Sequence, residues 1–232
     1  MVPLKGAGPS LAVVFGSGGL PAIAGLGVVD AVHNSGLVPD LYAGSGAGAV
    51  FAALLAGGRS VEDSVVLASR LWTPQATVQR RWLAAISVAW PSLARPGARF
   101  SLLREGPLVR RLEAAFGRTR IEDLAIALRI CATDAATGET VILDRGRLSD
   151  ALRASMAQPM LLPPVSFGGR MLIAGAQSDP LPVGTVTDAR CVLAVLAPRR
   201  APTGPETLLH RLQATMAAQA GQLVKSHLQA AH

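Results

Sequence analysis

The sequence of 232 residues has few aromatic side chains, few charges and only two cysteines. Aromatic residues make up 4% of the chain, too few for a platform that stacks nucleic-acid bases, so no nucleic-acid partner is expected. Cys131 and Cys191 cannot form a disulfide scaffold, and the spacing of ligand-type residues fits no metal site. Each cysteine stands in an apolar, strand-like run, so we expect two buried thiols. No metal or other cofactor is predicted.

Long uninterrupted apolar runs are missing as well. The stretch 41–58 carries no charge, but its glycines interrupt it too often for a membrane-spanning helix. Residues 1–10 do not contain the long apolar core of a signal peptide. The sequence therefore predicts a soluble, cytoplasmic protein, with peripheral docking on a membrane as an open alternative.

Small and aliphatic side chains are abundant. Hydrophobic residues make up 50% of the chain and charged residues 16%, which excludes a disordered protein and suits one well-buried domain over residues 1–232. The formal net charge of +7 comes mostly from dispersed arginines. These arginines either form a solvated surface or favour anionic partners such as an acidic membrane surface. The oligomeric state stays open.

Two glycine-rich turns divide the first quarter of the chain. Each follows a predicted strand, over 11–15 or 40–43, and passes through glycines at 16–19 or 44–48. Each then enters an apolar helix, predicted over 22–35 or 49–56. Strand, glycine turn and helix, repeated in this way, are typical of a parallel sheet with crossover helices. The pattern predicts an α/β domain.

The remaining segments complete this architecture. Residues 60–116 hold Trp72, Trp82 and Trp90, and we expect them to form a helical cap over one end of the sheet. Further elements are predicted as strands over 128–134, 140–143, 171–174 and 191–196, a short helix over 148–157, and an amphipathic C-terminal helix over 205–230.

The first glycine turn does not fit a nucleotide site. Pro21 stands where the motif G-x-G-x-x-G needs its third glycine, and no Lys-Ser/Thr pair of a phosphate-binding loop follows. Two interpretations remain open. The turn provides an oxyanion hole from backbone N–H groups, or it only joins a strand to a helix.

The second glycine turn has the outer glycines of a nucleophile elbow, G-x-S-x-G, in which a strained serine stands between strand and helix. In this chain the five residues are Gly44-Ser45-Gly46-Ala47-Gly48, and the central residue is Gly46. The sequence therefore predicts the elbow without its nucleophile.

Most of the chain, from about residue 11 to 183, resembles the patatin-like phospholipases. The matching segments are Gly16–Ala22, Gly27–Val29, Ala43–Gly48, Cys131–Asp134 with Thr137–Glu139, Ala154–Pro159 with Pro163–Val165, and Gly168–Val183. The resemblance implies a three-layer α/β/α patatin-like domain with a mostly parallel central sheet and a helical cap. It also implies lipid acyl hydrolysis by a serine–aspartate dyad that uses no histidine.

The same resemblance implies that the dyad is substituted. The family's nucleophilic serine falls on Gly46, its activating aspartate on Ala174, and the arginine of its glycine loop on Pro21. Serine attack on an ester needs a hydroxyl and a base. The two matched positions supply neither, so we expect no hydrolysis by this route.

Several neighbouring residues carry open interpretations. Ser45 is the candidate surrogate nucleophile, or a turn hydroxyl. The oxyanion or ligand-binding positions fall on Ser17, Gly18 and Gly19, and Ser17 alternatively caps its loop. Asp179 either reaches a bound water or is a turn carboxylate.

The leading hypothesis is a pseudoenzyme that binds an acyl chain, a fatty acid or a lipid, or that scaffolds a partner. The tryptophans of the predicted cap, Trp72, Trp82 and Trp90, would cover either the end of the sheet or the bound acyl chain. Three alternatives stay open: an acyl hydrolase or acyltransferase that uses Ser45, an inactivated variant of an active enzyme, and a non-covalent biosynthetic enzyme that uses the remodelled cleft.

Overall fold

The computed structural model describes residues 9–71, 100–197 and 208–230. A seven-stranded sheet lies at its centre, in the order β5-β6-β3-β2-β1-β7, with β4 also paired to β3. The strands are β1 (Leu11–Phe15), β2 (Leu41–Ser45), β3 (Ala127–Asp134), β4 (Thr140–Leu143), β5 (Val165–Phe167), β6 (Arg170–Ala174) and β7 (Cys191–Val195).

The sheet has a parallel part and an antiparallel part. Strands β3, β2, β1 and β7 are parallel neighbours, as the alternating strand and helix pattern predicts. The β3–β4, β3–β6 and β5–β6 pairs are antiparallel. The links 135–139 and 168–169 are too short for a parallel crossover, so each folds back as a hairpin. The sheet is therefore mixed.

Helices cover both faces of the sheet and complete a three-layer α/β fold. They are α1 (Gly25–Asn34), α2 (Ala47–Ala56), α3 (Val61–Leu71), α4 (Gly106–Phe116), α5 (Leu148–Ser155) and α6 (Leu208–Ala230), with a 3-10 helix, Leu20–Ala24, before α1. All ten residues of α2 are buried, because this helix lies between the sheet and its neighbouring helices. Within the described residues, no helix is both long enough and apolar enough to cross a membrane.

Strand β1 is buried on both faces, which explains why its sequence is a continuous apolar run. Val13 and Phe15 face the core that contains α2, whereas Ala12 and Val14 face a second cluster that includes Val224 of α6. Side chains alternate between the two faces of a strand, so a strand covered on both sides needs apolar residues at every position.

The two cysteines differ in their burial. Cys131, on β3, is buried, as predicted, but Cys191 is exposed. The prediction of a buried thiol is wrong for Cys191 because this residue begins β7, the last strand of the sheet, whose neighbour is β1. An apolar sequence indicates a strand but does not indicate its place in the sheet.

Only the two ends of the predicted cap segment, α3 and α4, belong to the described residues. Ala68 of α3 and Leu112 and Phe116 of α4 lie in the same core as α2. These helices therefore belong to one of the helical layers. Trp72, Trp82 and Trp90 lie outside the described residues, so the cap stays a prediction.

Candidate functional site

Strands β2 and β6 end against adjacent residues of β3. Ser45, the last residue of β2, pairs with Cys131, and Ala174, the last residue of β6, pairs with Ala132. Strand β4 pairs with both of these β3 residues, so β2 and β6 share the other edge of β3. One runs parallel to β3 and the other antiparallel, so their carboxyl ends meet.

Gly46 forms the turn between β2 and α2. Its φ of 60° and ψ of −123° lie where side-chain-bearing residues are rare. Its N–H donates to the Ser155 hydroxyl oxygen over 2.8 Å, and this hydroxyl donates to the Cys131 carbonyl oxygen over 2.6 Å. The Ser155 hydroxyl thus links the turn to β3 by two hydrogen bonds. No sequence pattern indicates this role for Ser155, although the residue lies in a segment that resembles the family.

The outer glycines of the elbow turn, residues 44–48, are required by packing. A Cβ at Gly44 would lie 2.6 Å from the Ala49 nitrogen, and one at Gly48 would lie 2.5 Å from the carbonyl oxygens of Phe15 and Gly16. By contrast, a Cβ at Gly46 would have ordinary contacts, with the Ser17 Cβ at 3.5 Å. Helix α2 can therefore begin directly against the end of β1.

The glycine loop, residues 16–19, follows β1 and lies beside the elbow turn. The Gly16 N–H donates to the Val195 carbonyl oxygen over 2.9 Å, and the Ser17 N–H donates to the Pro180 carbonyl oxygen over 2.7 Å. Gly18 is half-buried, and Gly19 is exposed with a φ of 68° just before the 3-10 helix.

Ser17 is 5% exposed, and its Oγ has no hydrogen-bond partner in the described part of the chain. Leaving a buried hydroxyl unpaired costs about 1–3 kcal/mol. The loop therefore holds a buried polar group that a ligand oxygen could satisfy.

Ser45, the candidate surrogate nucleophile, is fully buried. A Cβ added to Gly175 would lie 2.8 Å from the Ser45 Oγ and 2.2 Å from the Cys131 carbonyl oxygen. The Ser45 hydroxyl is thus packed against the backbone where β2 and β6 meet. An ester could reach it only if this packing opened.

The end of β6 is held by side-chain hydrogen bonds. The Thr133 hydroxyl donates to the Ala174 carbonyl oxygen over 2.9 Å and lies 2.8 Å from the Ser178 hydroxyl oxygen. Ala174 is 2% exposed, so its methyl group faces protein rather than solvent.

Cys131 and Asp179 lie close to this strand junction. Burial, reinforced by the charge of Asp179, raises the pKa of the Cys131 thiol. The thiol therefore stays protonated at neutral pH, which makes it a poor nucleophile. Asp179 is 7% exposed, and its backbone carbonyl accepts the Cys131 thiol at 3.6 Å. A turn-rich sequence did not indicate that this aspartate is buried.

The C-terminal helix α6 lies over this region. The Gln158 side-chain amide donates to the Met216 sulfur over 2.9 Å, and α6 also contacts the 3-10 helix Gly175–Gln177 that follows Ala174. A cavity of about 230 Å³, called the α6 cavity below, remains between α6 and the glycine loop. Its lining residues are Ser17, Pro180, Leu196, Ala197, Ala220, Gly221, Val224 and Lys225.

The chain is similar to several known proteins. An uncharacterized NTE family protein of Mycobacterium tuberculosis is 31% identical over 180 residues, which cover 78% of this chain and 28% of the relative. The lysophospholipase NTE1 of Yarrowia lipolytica is 29% identical over 177 residues, 76% of this chain and 12% of the relative. Among solved structures, VipD of Legionella pneumophila matches with a TM-score of 0.49 at 15% identity, over 88% of this chain and 52% of that protein.

The chain spans less than a third of these two sequence relatives. The family model described as patatin-like phospholipase matches residues 13–187, about three quarters of the chain. This match covers both glycine turns and the meeting of β2 with β6. The chain belongs to the patatin-like phospholipase family.

Proposed function

We propose that this domain binds an acyl chain or a lipid and does not cleave it by serine–aspartate chemistry. The observation that carries the proposal is the identity of two residues at the meeting of β2 and β6. By resemblance, the family's serine maps to Gly46 and its aspartate maps to Ala174. Gly46 directly follows β2, and Ala174 is the last residue of β6. A hydrogen atom and a methyl group can neither attack an ester nor accept a proton.

The burial of the nearest alternative nucleophiles supports this proposal. Ser45 is fully buried, and Cys131 is both buried and held protonated. A hydrolase that used either group would have to open the packed junction between β2 and β6. The surrogate hypothesis is therefore the weaker one.

An acyl ligand fits the surroundings of the site. The α6 cavity is lined mainly by aliphatic and small side chains, and the net charge of +7 favours an anionic headgroup. One relative is a lysophospholipase by name, which favours a lysophospholipid or a fatty acid as the ligand class.

Membrane association is part of the same proposal. The arginine-rich surface would attract an anionic membrane, and salt would screen this attraction.

The proposal is tested by combining a lipid assay with an esterase assay. Purified protein is extracted and its bound lipids are identified by mass spectrometry, and p-nitrophenyl butyrate turnover is followed in parallel. We expect co-purified fatty acid or phospholipid, and turnover no faster than in buffer. Turnover that Ser45→Ala abolishes would replace the proposal with a hydrolase. A lipid-free protein that captures one specific protein would support a scaffold instead.

A further inference from the structure

The α6 cavity occupies a place where α/β sheets bind ligands. Its floor is formed by Ser17 after β1, by Leu196 and Ala197 after β7, and by Pro180. Its roof is α6. In open α/β sheets, ligands bind in crevices beyond the carboxyl ends of the parallel strands. The cavity lies at such an edge, beside the glycine loop.

One polar side chain in this cavity has no partner. Ser17 is about nineteen-twentieths buried, and its hydroxyl forms no hydrogen bond with the described residues. The nearby Pro180 carbonyl already accepts the Ser17 N–H over 2.7 Å. A hydroxyl can donate one hydrogen bond and accept others, so a ligand oxygen placed here would satisfy it.

The rest of the lining indicates a short apolar chain. Leu196, Ala197, Ala220 and Val224 supply aliphatic walls, and the exposed Lys225 can line the opening with its stem while its ammonium reaches solvent. A cavity of about 150 Å³ holds benzene, so about 230 Å³ accommodates roughly nine non-hydrogen atoms. A long fatty acid does not fit within this volume.

We infer that the α6 cavity binds a medium-chain carboxylate of about six to eight carbons. The Ser17 hydroxyl on the floor donates to the carboxylate, the aliphatic tail lies along α6, and the aliphatic stem of Lys225 lines the opening. This inference rests on the proposed acyl-binding function and specifies its place and chain length. It makes α6 a wall of the ligand site.

Gly221 allows the cavity to be filled without disturbing its surroundings. An added Cβ at Gly221 meets no heavy atom within 4 Å, and glycine is unfavourable within a helix. Gly221→Leu should therefore fold, with its side chain in the cavity. Ala218→Leu is the matched control, since Ala218 is exposed on the same helix.

The test is calorimetric titration of the full chain with hexanoate, octanoate and palmitate, with thermal melting to confirm that each variant is folded. We expect saturable octanoate binding, weakened about tenfold or more by Gly221→Leu and unchanged by Ala218→Leu. Ser17→Ala should weaken it by about tenfold or more, because it removes one hydrogen bond to a charged group.

Three outcomes would overturn the inference. If Gly221→Leu binds octanoate like the wild type, the ligand lies elsewhere. If only palmitate or a co-purified lipid binds, and Gly221→Leu does not affect it, the cavity inference fails while the proposed acyl-binding function stands. If no acyl ligand binds and none co-purifies, both fail.

Discussion

The two glycine-rich turns occupy equivalent places in the fold, after β1 and after β2, but they are constrained in different ways. In the elbow turn, Gly44 and Gly48 are fixed by backbone atoms 2.5–2.6 Å from any added Cβ. Both turns contain a buried serine hydroxyl without a hydrogen-bond partner among the described residues, but Ser45 is packed against the backbone near Gly175, whereas Ser17 of the glycine loop lines the α6 cavity. The elbow glycines are thus required by packing, whereas the unpaired Ser17 hydroxyl in a cavity indicates a ligand.

This difference explains how an elbow can persist without its nucleophile. The close approach of α2 to β1 requires Gly48 whether or not residue 46 carries a hydroxyl. A glycine pattern therefore identifies the fold and does not by itself establish catalysis.

The largest effect is expected for Gly48→Ala. Its Cβ would lie 2.5 Å from two carbonyl oxygens that belong to backbone and cannot move independently. We expect a loss of about 3 kcal/mol or more in the free energy of unfolding, measured by urea denaturation. Gly27→Ala is the control, because its Cβ meets nothing within 4 Å and it should gain about 0.5–1 kcal/mol. Equal stability of the two variants would contradict the packing argument.

Ser155→Ala should have the next largest effect on stability. It removes the hydroxyl that joins the Gly46 N–H to the Cys131 carbonyl oxygen, and both backbone groups are buried. We expect a loss of about 1–3 kcal/mol by the same denaturation measurement. A change below the error of the method would show that water or local adjustment replaces the hydroxyl.

Gly46→Ser should cost less than Gly48→Ala, because only its positive φ opposes a side chain. We expect about 1–3 kcal/mol, the cost of a side chain in a sparsely populated backbone region. Combined with Ala174→Asp, it would place a hydroxyl and a carboxylate at the ends of β2 and β6. Weak p-nitrophenyl butyrate hydrolysis is the expected result. A folded double variant without activity would indicate that the site has changed beyond these two residues.

Ser17→Ala should have the smallest effect on stability and so sharpens the contrast between the turns. It removes a hydroxyl that has no partner in the described structure, so the ligand-free protein should be unchanged or up to about 1 kcal/mol more stable. A loss above 1 kcal/mol in the same denaturation measurement would mean that the hydroxyl already has a partner, and that the cavity needs no ligand to satisfy it.

The two cysteines offer a separate chemical check. With a thiol reagent at pH 8, we expect Cys191 to react in the native protein and Cys131 only after unfolding, because the first is exposed and the second is buried. Folding raises the pKa of the Cys131 thiol. The buried, protonated Cys131 thiol therefore costs no stability below the unfolded pKa of about 8.5. Above that pH the unfolded thiol ionises while the folded one stays protonated, so the free energy of unfolding falls as the pH rises. Rapid native labelling of both thiols would contradict this burial.

The sequence anticipated the elements that are set by local residues. The apolar run before the glycine loop predicts β1 at Leu11–Phe15, and the strand Thr140–Leu143 also has its predicted bounds. The sequence predicts helix α2 from residue 49, but the helix begins at Ala47. The turn is completed by Gly46 alone, whose positive φ reverses the chain in a single residue.

Features that depend on contacts between residues far apart in the sequence could not be predicted in the same way. The meeting of β2 and β6 requires both strands to share one edge of β3, and no local pattern encodes this arrangement. The exposure of Cys191 depends on the position of β7 at the end of the sheet. The α6 cavity joins residues about 200 positions apart, Ser17 and Ala220.

The most direct test of the central claim is to follow binding and cleavage in one experiment. The wild-type protein is incubated with an octanoyl lysophospholipid, and mass spectrometry measures both the lipid retained by the protein and the octanoate released. We expect the protein to retain intact lipid and to release no octanoate above the buffer rate. Octanoate release that is lost in Ser45→Ala would contradict this expectation.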